Sequence, residues 1–377
     1  MKSSELYSSF FTLVRLGIGT SIDAKIPNDV DWSGLKDLAE KQGLGAVVLD
    51  GIEVLRTNEN HNQNLNLPDK VFLLEWIGET LQGYEYRYDL YCKTMAEMAE
   101  FYNKHSFKMM ILKGYACSLD WPRPEHRPCG DIDIWLFGRQ AEADAALGSW
   151  FKVQGSSQEI DKSHHHHTVF YWGEFMVENH YDFIDVHHRK SGPKLEAILK
   201  ELGGDDSNFV EMESTSTGSA TRVYLPSTNL HALFLLYHTM LHFTSTEMSI
   251  RQLLDWGLFI KKHTNEIDWN WFMSLVEEFH MKEFFNIINA ICVEDLGFDA
   301  SIFHSVQFSP LLKDRVLRDT LAPEFTEEEP KWLLKRFFFR FRRWKSHEWK
   351  HKLCFEESMW SIFWTAVWSH ILKPKSI

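Results

Sequence analysis

The segment ILKGYACSLDWPRPEHRPCGDIDIWL, residues 111–136, places charged residues in and beside two apolar runs. The first run is followed by Lys113 and Gly114, and the second contains Asp131 and Asp133 on either side of an isoleucine. Side chains alternate between the two faces of a strand, so these two carboxylates share one face. They would repel each other unless a cation lay between them, and carboxylate oxygens are ligands that suit Mg²⁺. The segment therefore predicts a strand whose two carboxylates either face solvent or hold metal ions.

A phosphate-binding turn is predicted next to this strand. Lys113 and Gly114 end an apolar run, and a glycine lets the backbone approach a phosphate closely. The helix predicted over residues 115–121 would add N–H groups and the positive end of its dipole. Arg123 and Arg127 lie in the proline-rich loop that leads to Asp131, and their guanidinium groups would clamp a triphosphate.

The surrounding sequence predicts a small α/β or α+β domain. The runs at 108–114 and 130–137 are predicted strands, and a helical stretch follows the second of them. The segments 167–172 and 175–188 are predicted to form a hairpin around the intervening Gly-Glu pair. This order of strand, helix, strand, helix and strand pair favours a compact domain of mixed elements.

Helical patterns flank this central domain on both sides. Apolar residues recur at helical spacing before residue 105, and helices are predicted at 229–243, 248–263 and 269–297. Residues 207–227 are predicted to form a loop with an edge strand. The predicted organisation is a helical region, a central core and a second helical region that ends in a basic, aromatic-rich tail, with boundaries at 1–105, 106–192 and 193–377.

Composition limits the class of protein. The chain has 377 residues and a net charge of −13, which argues against a general nucleic-acid coat protein. Its five cysteines are odd in number and include no CxxC pair, a pattern typical of reduced thiols. The N-terminus resembles an amphipathic helix more than a signal peptide, and no apolar run is long enough to span a membrane. A cytoplasmic location is expected.

The motifs in this order resemble a known family. The motifs are L-K-G, an aromatic-proline loop, R-x-x-x-D-I-D-I and then V-E-x-H at residues 177–180. They are similar to those of the uncharacterised nucleotidyltransferase family of the polymerase-beta-like superfamily. The matching motifs span about residues 108–190. The resemblance implies an α+β fold, with a small mixed-sheet nucleotidyltransferase domain embedded between helical regions. It also implies three acidic metal ligands, which would be Asp131, Asp133 and Glu178.

The same resemblance implies a reaction. A nucleoside monophosphate would pass from an NTP, with ATP as the first candidate, to an acceptor, and pyrophosphate would be released. The expected cofactor is Mg²⁺, with two ions in the site and Mn²⁺ as an alternative. Lys113, Gly114, Arg127 and His180 are the candidate nucleotide-binding residues. The acceptor stays open between a protein, an RNA and a small molecule.

Several alternatives stay open at this stage. Asp185, in IDVHH, repeats the apolar-acid-apolar-His form of the V-E-x-H motif and competes with Glu178 as the third carboxylate. The run at 164–167 is predicted either as a polar loop or as histidines that contact phosphate or metal. Two other functions compete with nucleotidyl transfer: a catalytically silent module that binds nucleotide or a partner, and a metal-dependent phosphohydrolase.

The C-terminal tail has an unusual composition. Residues 331–352 mix lysine and arginine with phenylalanine and tryptophan, and residues 359–375 are apolar and rich in tryptophan. Such a mixture favours a pair of helices docked on the domain, but it also suits an anionic membrane surface or an acidic partner such as RNA. Contact with a membrane or an acidic partner through 331–375 is therefore a hypothesis.

Overall fold

A computed structural model describes residues 3–360, apart from 23–24, 28, 58–66, 188, 214–217, 219, 246–247, 305–306, 326–329, 331 and 358–359. The chain divides into two compact units. The described residues of 1–82, 121–127 and 235–359 form the helical unit, and the described residues of 83–120, 128–234 and 360 form the sheet unit. The fold is α+β, with one mixed six-stranded sheet among many helices, which confirms the predicted class.

The helices are α1 Ser3–Gly17, α2 Trp32–Lys41, α3 Gly45–Thr57, α4 Lys70–Thr80, α5 Tyr86–Lys104, α6 Tyr115–Ser118, α7 Gln140–Val153, α8 Gly192–Leu202, α9 Thr228–Ser245, α10 Ile250–His263, α11 Trp269–Glu278, α12 Lys282–Glu294, α13 Pro310–Leu321, α14 Leu333–Ser346 and α15 Glu348–Cys354. The strands are β1 Met110–Ile111, β2 Ile132–Trp135, β3 His167–Trp172, β4 Phe175–His180, β5 Phe209–Glu213 and β6 Ala220–Tyr224.

The strands of the sheet follow the order β3-β4-β2-β1-β6-β5. The pairs β2–β4 and β1–β6 are parallel, and the other neighbouring pairs are antiparallel. The predicted hairpin is confirmed as β3–β4, but its second strand ends at His180 and does not continue to residue 188. The segment predicted as a loop with an edge strand is a second hairpin, β5–β6, so the sheet extends beyond residue 192.

The core of the sheet unit lies between one face of the sheet and the helices α5 and α7. Ile132, Ile134 and Val177 point into this core and are fully buried. Since strand side chains alternate, Asp133 and Glu178 lie on the opposite face. On that second face Trp135 donates through Nε1 to the carbonyl of Gly203 at 3.1 Å, next to the end of α8. The sheet therefore separates an apolar layer from a polar one.

In the helical unit, local sequence signals set where helices begin and how closely they pack. Asp31 and Asp69 cap α2 and α4 by accepting backbone N–H groups of the first turn. Helices α1 and α3 pack closely because Gly51 has no side chain. A Cβ at this position would lie 2.1 Å from the carbonyl oxygen of Leu13. The single helix predicted over 269–297 is wrong: α11 and α12 are separate, and His280 between them has a positive φ of 55°.

The described part of the C-terminal tail forms α14 and α15, whereas 361–377 lie outside the described residues. Phe338 and Phe341 on α14 are exposed. Contact of this tail with a membrane or an acidic partner stays a prediction. In the described part of the chain, no helix has the length and apolar character needed to cross a bilayer.

Candidate active site

Strand pairing brings two of the predicted carboxylates together. Strand β2 runs parallel to β4, with Asp133 opposite Glu178. The same alternation puts His180 on the face of Glu178, and His180 pairs across the sheet with His167 of β3. One face of three neighbouring strands therefore carries two carboxylates and two imidazoles.

Asp133 is buried and binds two cationic side chains. Its Oδ1 atom lies 2.8 Å from the ammonium of Lys113 and 3.2 Å from Nε2 of His180. His180 Nε2 is also 3.6 Å from Oε2 of Glu178, and His167 Nε2 is 3.8 Å from Oε1 of the same carboxylate. Lys113 therefore lies beside the carboxylate cluster, as its position after the first apolar run indicated.

The charges in this cluster stabilise one another. Burial would lower the pKa of His180, but its hydrogen bonds to Asp133 and Glu178 outweigh burial and raise that pKa to about 9. Burial would likewise raise the pKa of Asp133, whereas Lys113 and His180 hold it well below its usual range. Burial opposes the charge of Lys113 too, yet Asp133 and Asp131 raise its pKa. At neutral pH Asp133 is therefore an anion between an ammonium and an imidazolium.

Asp131 lies next to this cluster at the start of β2 and is half-buried. Its pKa is raised, first because of burial and then because of the negative charge of Asp133, while Lys113 opposes the shift. Asp185, the competing third carboxylate, follows the end of β4 and accepts a hydrogen bond from the backbone N–H of His187 at 2.8 Å. The strand register thus sets Glu178, rather than Asp185, opposite Asp133.

The Gly114 turn is held by a tyrosine of α5. Gly114 has a φ of +59°, a region that favours glycine, and a Cβ at this position would lie 2.4 Å from Oη of Tyr91. That hydroxyl donates to the backbone carbonyl of Asp131 at 3.1 Å. The helix that follows, α6, is shorter than predicted and ends at Ser118. No pattern in the sequence indicated Tyr91, because its role depends on a contact between distant segments.

Arg127 belongs to the helical unit and makes a buried ion pair there. Its Nε donates to Oδ1 of Asp255 at 2.8 Å, and its Nη2 donates to Oδ2 at 2.9 Å. Trp121 also donates through Nε1 to Oδ1 of Asp255, at 2.8 Å. The structure thus places Arg127 in a structural pair, and its role as a nucleotide ligand stays a prediction.

Two groups of side chains in the described residues place potential metal-ligand atoms within 4.8 Å of one another. One comprises Asp133, Glu178 and His180, and the other comprises His166, His167 and His180. The sequence held two signals of the second group: the run of histidines that leads into β3, and the predicted hairpin, which sets His167 opposite His180.

The chain matches one known protein family. Residues 28–297 match the model of a family described as "Uncharacterised nucleotidyltransferase". The chain belongs to this family. The match covers well over half of the chain, including the whole sheet, and it stops before α13. Comparisons with curated proteins and with solved structures gave no match. Membership of this nucleotidyltransferase family supports a general role in nucleotidyl transfer.

Proposed function

We propose that this nucleotidyltransferase moves a nucleoside monophosphate from an NTP, with ATP as the first candidate, to an acceptor. A nucleophilic atom of the acceptor forms a bond to the α-phosphorus, the bond from that phosphorus to the bridging oxygen breaks, and pyrophosphate leaves. The observation that carries this proposal is the pairing of Asp133 with Glu178 across β2 and β4, with Lys113 on Asp133.

The donor set suits Mg²⁺. Asp131, Asp133 and Glu178 are carboxylates that influence one another electrostatically, and Lys113 and His180 are the cations that face them. Three negative charges against two positive ones leave a negative excess, which is consistent with the raised pKa of Asp131. Bound Mg²⁺, as one ion or two, would neutralise charge on the phosphates and on the leaving pyrophosphate, and Mn²⁺ could replace it.

The side chains of the site have distinct parts in this reaction. Lys113 supplies positive charge beside Asp133 and next to the Gly114 turn, where phosphate oxygens would benefit from it. The side chain of Glu178 is 18% exposed and that of Asp133 is 2% exposed, so Glu178 is better placed to receive the proton of the acceptor. Positioning and charge neutralisation are what phosphoryl-type transfer chiefly needs from a protein.

The test is incubation of the untagged chain with each α-labelled NTP, Mg²⁺ and cell extract, followed by identification of the labelled product as protein, RNA or small molecule. Asp131→Asn and Glu178→Gln should abolish labelling and pyrophosphate release while the fold is retained. Asp161→Asn and Glu174→Gln are matched controls, since both side chains are exposed in the same unit, and they should label as the wild type does.

The outcomes separate the competing functions. Full labelling by Asp131→Asn or Glu178→Gln would remove the assignment. Release of free nucleoside monophosphate, with water as the acceptor, would indicate a phosphohydrolase, and tight nucleotide binding without turnover would indicate a silent binding module. A cytoplasmic location is part of the proposal, because NTPs and reduced thiols belong to that compartment, and none of the five cysteines, all within the described residues, is in a disulfide.

A further inference from the structure

Three histidines meet at the open end of the β3–β4 hairpin. One nitrogen of each of His166, His167 and His180 lies within 4.8 Å of the others. The ring centroids are 4.3 Å apart for His166 and His167, 5.3 Å for His167 and His180, and 5.5 Å for His166 and His180. Three imidazoles so close together are an unusual arrangement for a site that needs only carboxylates.

The backbone holds these rings in place. His167 and His180 face each other in the antiparallel pairing of β3 with β4. The carbonyl of His166 accepts hydrogen bonds from the N–H groups of Tyr181 at 3.0 Å and Asp182 at 3.1 Å. The two ends of the hairpin are therefore tied together, and the backbone keeps the three rings close to one another.

Two of the rings have buried nitrogens without a hydrogen bond. Nδ1 of His166 and Nδ1 of His167 have no hydrogen-bond partner in the described part of the chain. His167 is only 6% exposed. An unsatisfied buried polar atom is unfavourable, so such atoms need an explanation. A bound ion is one of the few explanations that fit rings already gathered around one point.

The nature of the donors selects the kind of ion. Mg²⁺ takes oxygen ligands, whereas imidazole nitrogen suits zinc and the other first-row transition metals. We propose that His166, His167 and His180 bind a transition-metal dication such as Zn²⁺, next to the carboxylates assigned to Mg²⁺. Three protein ligands leave an open position, as in zinc sites that bind water or substrate.

Glu178 connects the two sites. Its carboxylate lies 3.8 Å from Nε2 of His167, so it would orient that ring, whereas Nδ1 of His180 hydrogen-bonds to the carbonyl of Asp182 at 3.1 Å. A metal ion would replace the ring proton that His180 shares with Asp133, since a ligating nitrogen carries no hydrogen. The transition metal would therefore lie beside the reacting phosphates, although its binding does not depend on the proposed transfer reaction.

The experiment uses the full chain without a histidine tag. The protein is dialysed against Zn²⁺ in the presence of excess Mg²⁺, passed over a chelating resin and analysed by elemental mass spectrometry. About one zinc ion per chain is expected, and Co²⁺ in place of Zn²⁺ should give visible absorption bands of a nitrogen-ligated ion. Metal-dependent stabilisation, measured as a rise in melting temperature, should accompany binding.

Variants locate the ion. His166→Gln and His167→Gln should weaken Zn²⁺ binding at least about tenfold. His105→Gln is the control, because this exposed ring lies in the same unit, apart from the three histidines, and its Nδ1 hydrogen-bonds to the carbonyl of Phe101 at 2.8 Å. It should bind zinc as the wild type does. Circular dichroism establishes which variants fold, and the Co²⁺ spectrum of the wild type tests the proposal without any variant.

Clear results would overturn the proposal. These are a wild-type chain that retains only substoichiometric zinc, displacement of zinc by Mg²⁺, or an equal loss of binding in His105→Gln and His166→Gln. Asp131→Asn separates this proposal from the proposed function, since it should retain zinc while it loses nucleotide transfer. Zinc binding in a chain that transfers no nucleotide would support the metal site and count against the transferase.

Discussion

The hydroxyl of Tyr91 fills the space that a side chain at Gly114 would need. A Cβ on Gly114 would lie 2.4 Å from this hydroxyl, which also donates to the backbone carbonyl of Asp131 at 3.1 Å. A single tyrosine of α5 therefore constrains both the glycine turn and the strand that carries the aspartates. This contact joins the two halves of the candidate site through the backbone rather than through the charged groups.

Gly114→Ala should lower both stability and nucleotide turnover. The backbone at residue 114 has a positive φ, which costs a residue with a Cβ roughly 1–2 kcal/mol. The clash with Tyr91 adds to this cost, so a loss of more than about 2 kcal/mol is expected in urea unfolding. Turnover should fall with it, because the displaced tyrosine no longer holds the carbonyl of Asp131.

Tyr91→Phe provides the control for that prediction. Alone it should cost about 1 kcal/mol, the usual value of one hydrogen bond. In the double variant the phenylalanine relieves the clash, so the combined loss should be smaller than the sum of the two single losses. Losses that add within about 0.5 kcal/mol would show that the two residues do not interact.

Lys113→Met should destabilise the sheet unit through the charge that it leaves on Asp133. The Lys113 ammonium lies 2.8 Å from the carboxylate of a side chain that is only 2% exposed. Removal of one partner of a buried ion pair costs about 3–5 kcal/mol, and the remaining His180 should reduce this to the lower part of that range. Added Mg²⁺ should raise the melting temperature of the variant more than that of the wild type, because a divalent ion would supply the positive charge beside Asp133 that the variant lacks.

Lys108→Met is the matched control for the lysine variant. Lys108 pairs with Asp206, and both side chains are about half exposed, so the change should cost less than about 1 kcal/mol. Equal effects of Mg²⁺ on the melting temperatures of the wild type and of Lys113→Met would contradict the link between this lysine and the proposed metal site.

The local part of the fold followed from the sequence because its signals have short range. The alternation of Asp131 and Asp133 with isoleucines predicted a strand, and β2 begins at Ile132. The Gly-Glu pair predicted the β3–β4 hairpin, which the structure confirms. Turns and alternation depend on neighbouring residues, so a single sequence contains them.

Contacts between distant segments could not be predicted in this way. The partner of Arg127 is Asp255, which lies 128 residues further along the chain. The register that sets Asp133 opposite Glu178 joins strands separated by a helix and by β3, and only the family motif pointed to it. The histidines at 166 and 167 are a different case, because the β3–β4 hairpin, which the sequence did predict, sets His167 opposite His180. The spacing of residues along the chain carries no information about contacts between distant segments, because the tertiary fold sets those contacts.

Glu196 should make stability decrease as pH rises. Burial raises its pKa to about 7, more than the N–H groups of Phe183 and Ile184 lower it. The folded protein therefore keeps a proton that the unfolded chain loses above its ordinary pKa of about 4.3. Between these two pKa values the folded state binds more protons. The free energy of unfolding therefore falls by up to about 1.4 kcal/mol for each step of one in pH across that window.

Glu196→Gln tests this effect in urea unfolding at several pH values between about 4 and 8, which bracket the ordinary and the raised pKa. The amide does not titrate, so the stability of the variant relative to the wild type should rise across that range. The amide oxygen replaces only one of the two carboxylate acceptors. The test is therefore how the free energy of unfolding changes with pH, and not its absolute value.

Parallel profiles for the two proteins would show that Glu196 has an ordinary pKa. Glu201→Gln, an exposed position on the same helix, should leave the profile unchanged.

Arg127→Lys should reduce stability rather than nucleotide affinity. A lysine cannot make the paired hydrogen bonds that Arg127 donates to Asp255, and both residues are buried. A loss of about 2 kcal/mol is expected in urea unfolding, less than the roughly 3–5 kcal/mol of complete removal of a buried partner. Arg123→Lys is the control, because its pair with Asp50 is partly exposed and should contribute less than about 1 kcal/mol.

The KM for ATP of both variants should stay near that of the wild type. A tenfold rise in KM for Arg127→Lys with unchanged unfolding would instead support direct contact of this guanidinium with the triphosphate.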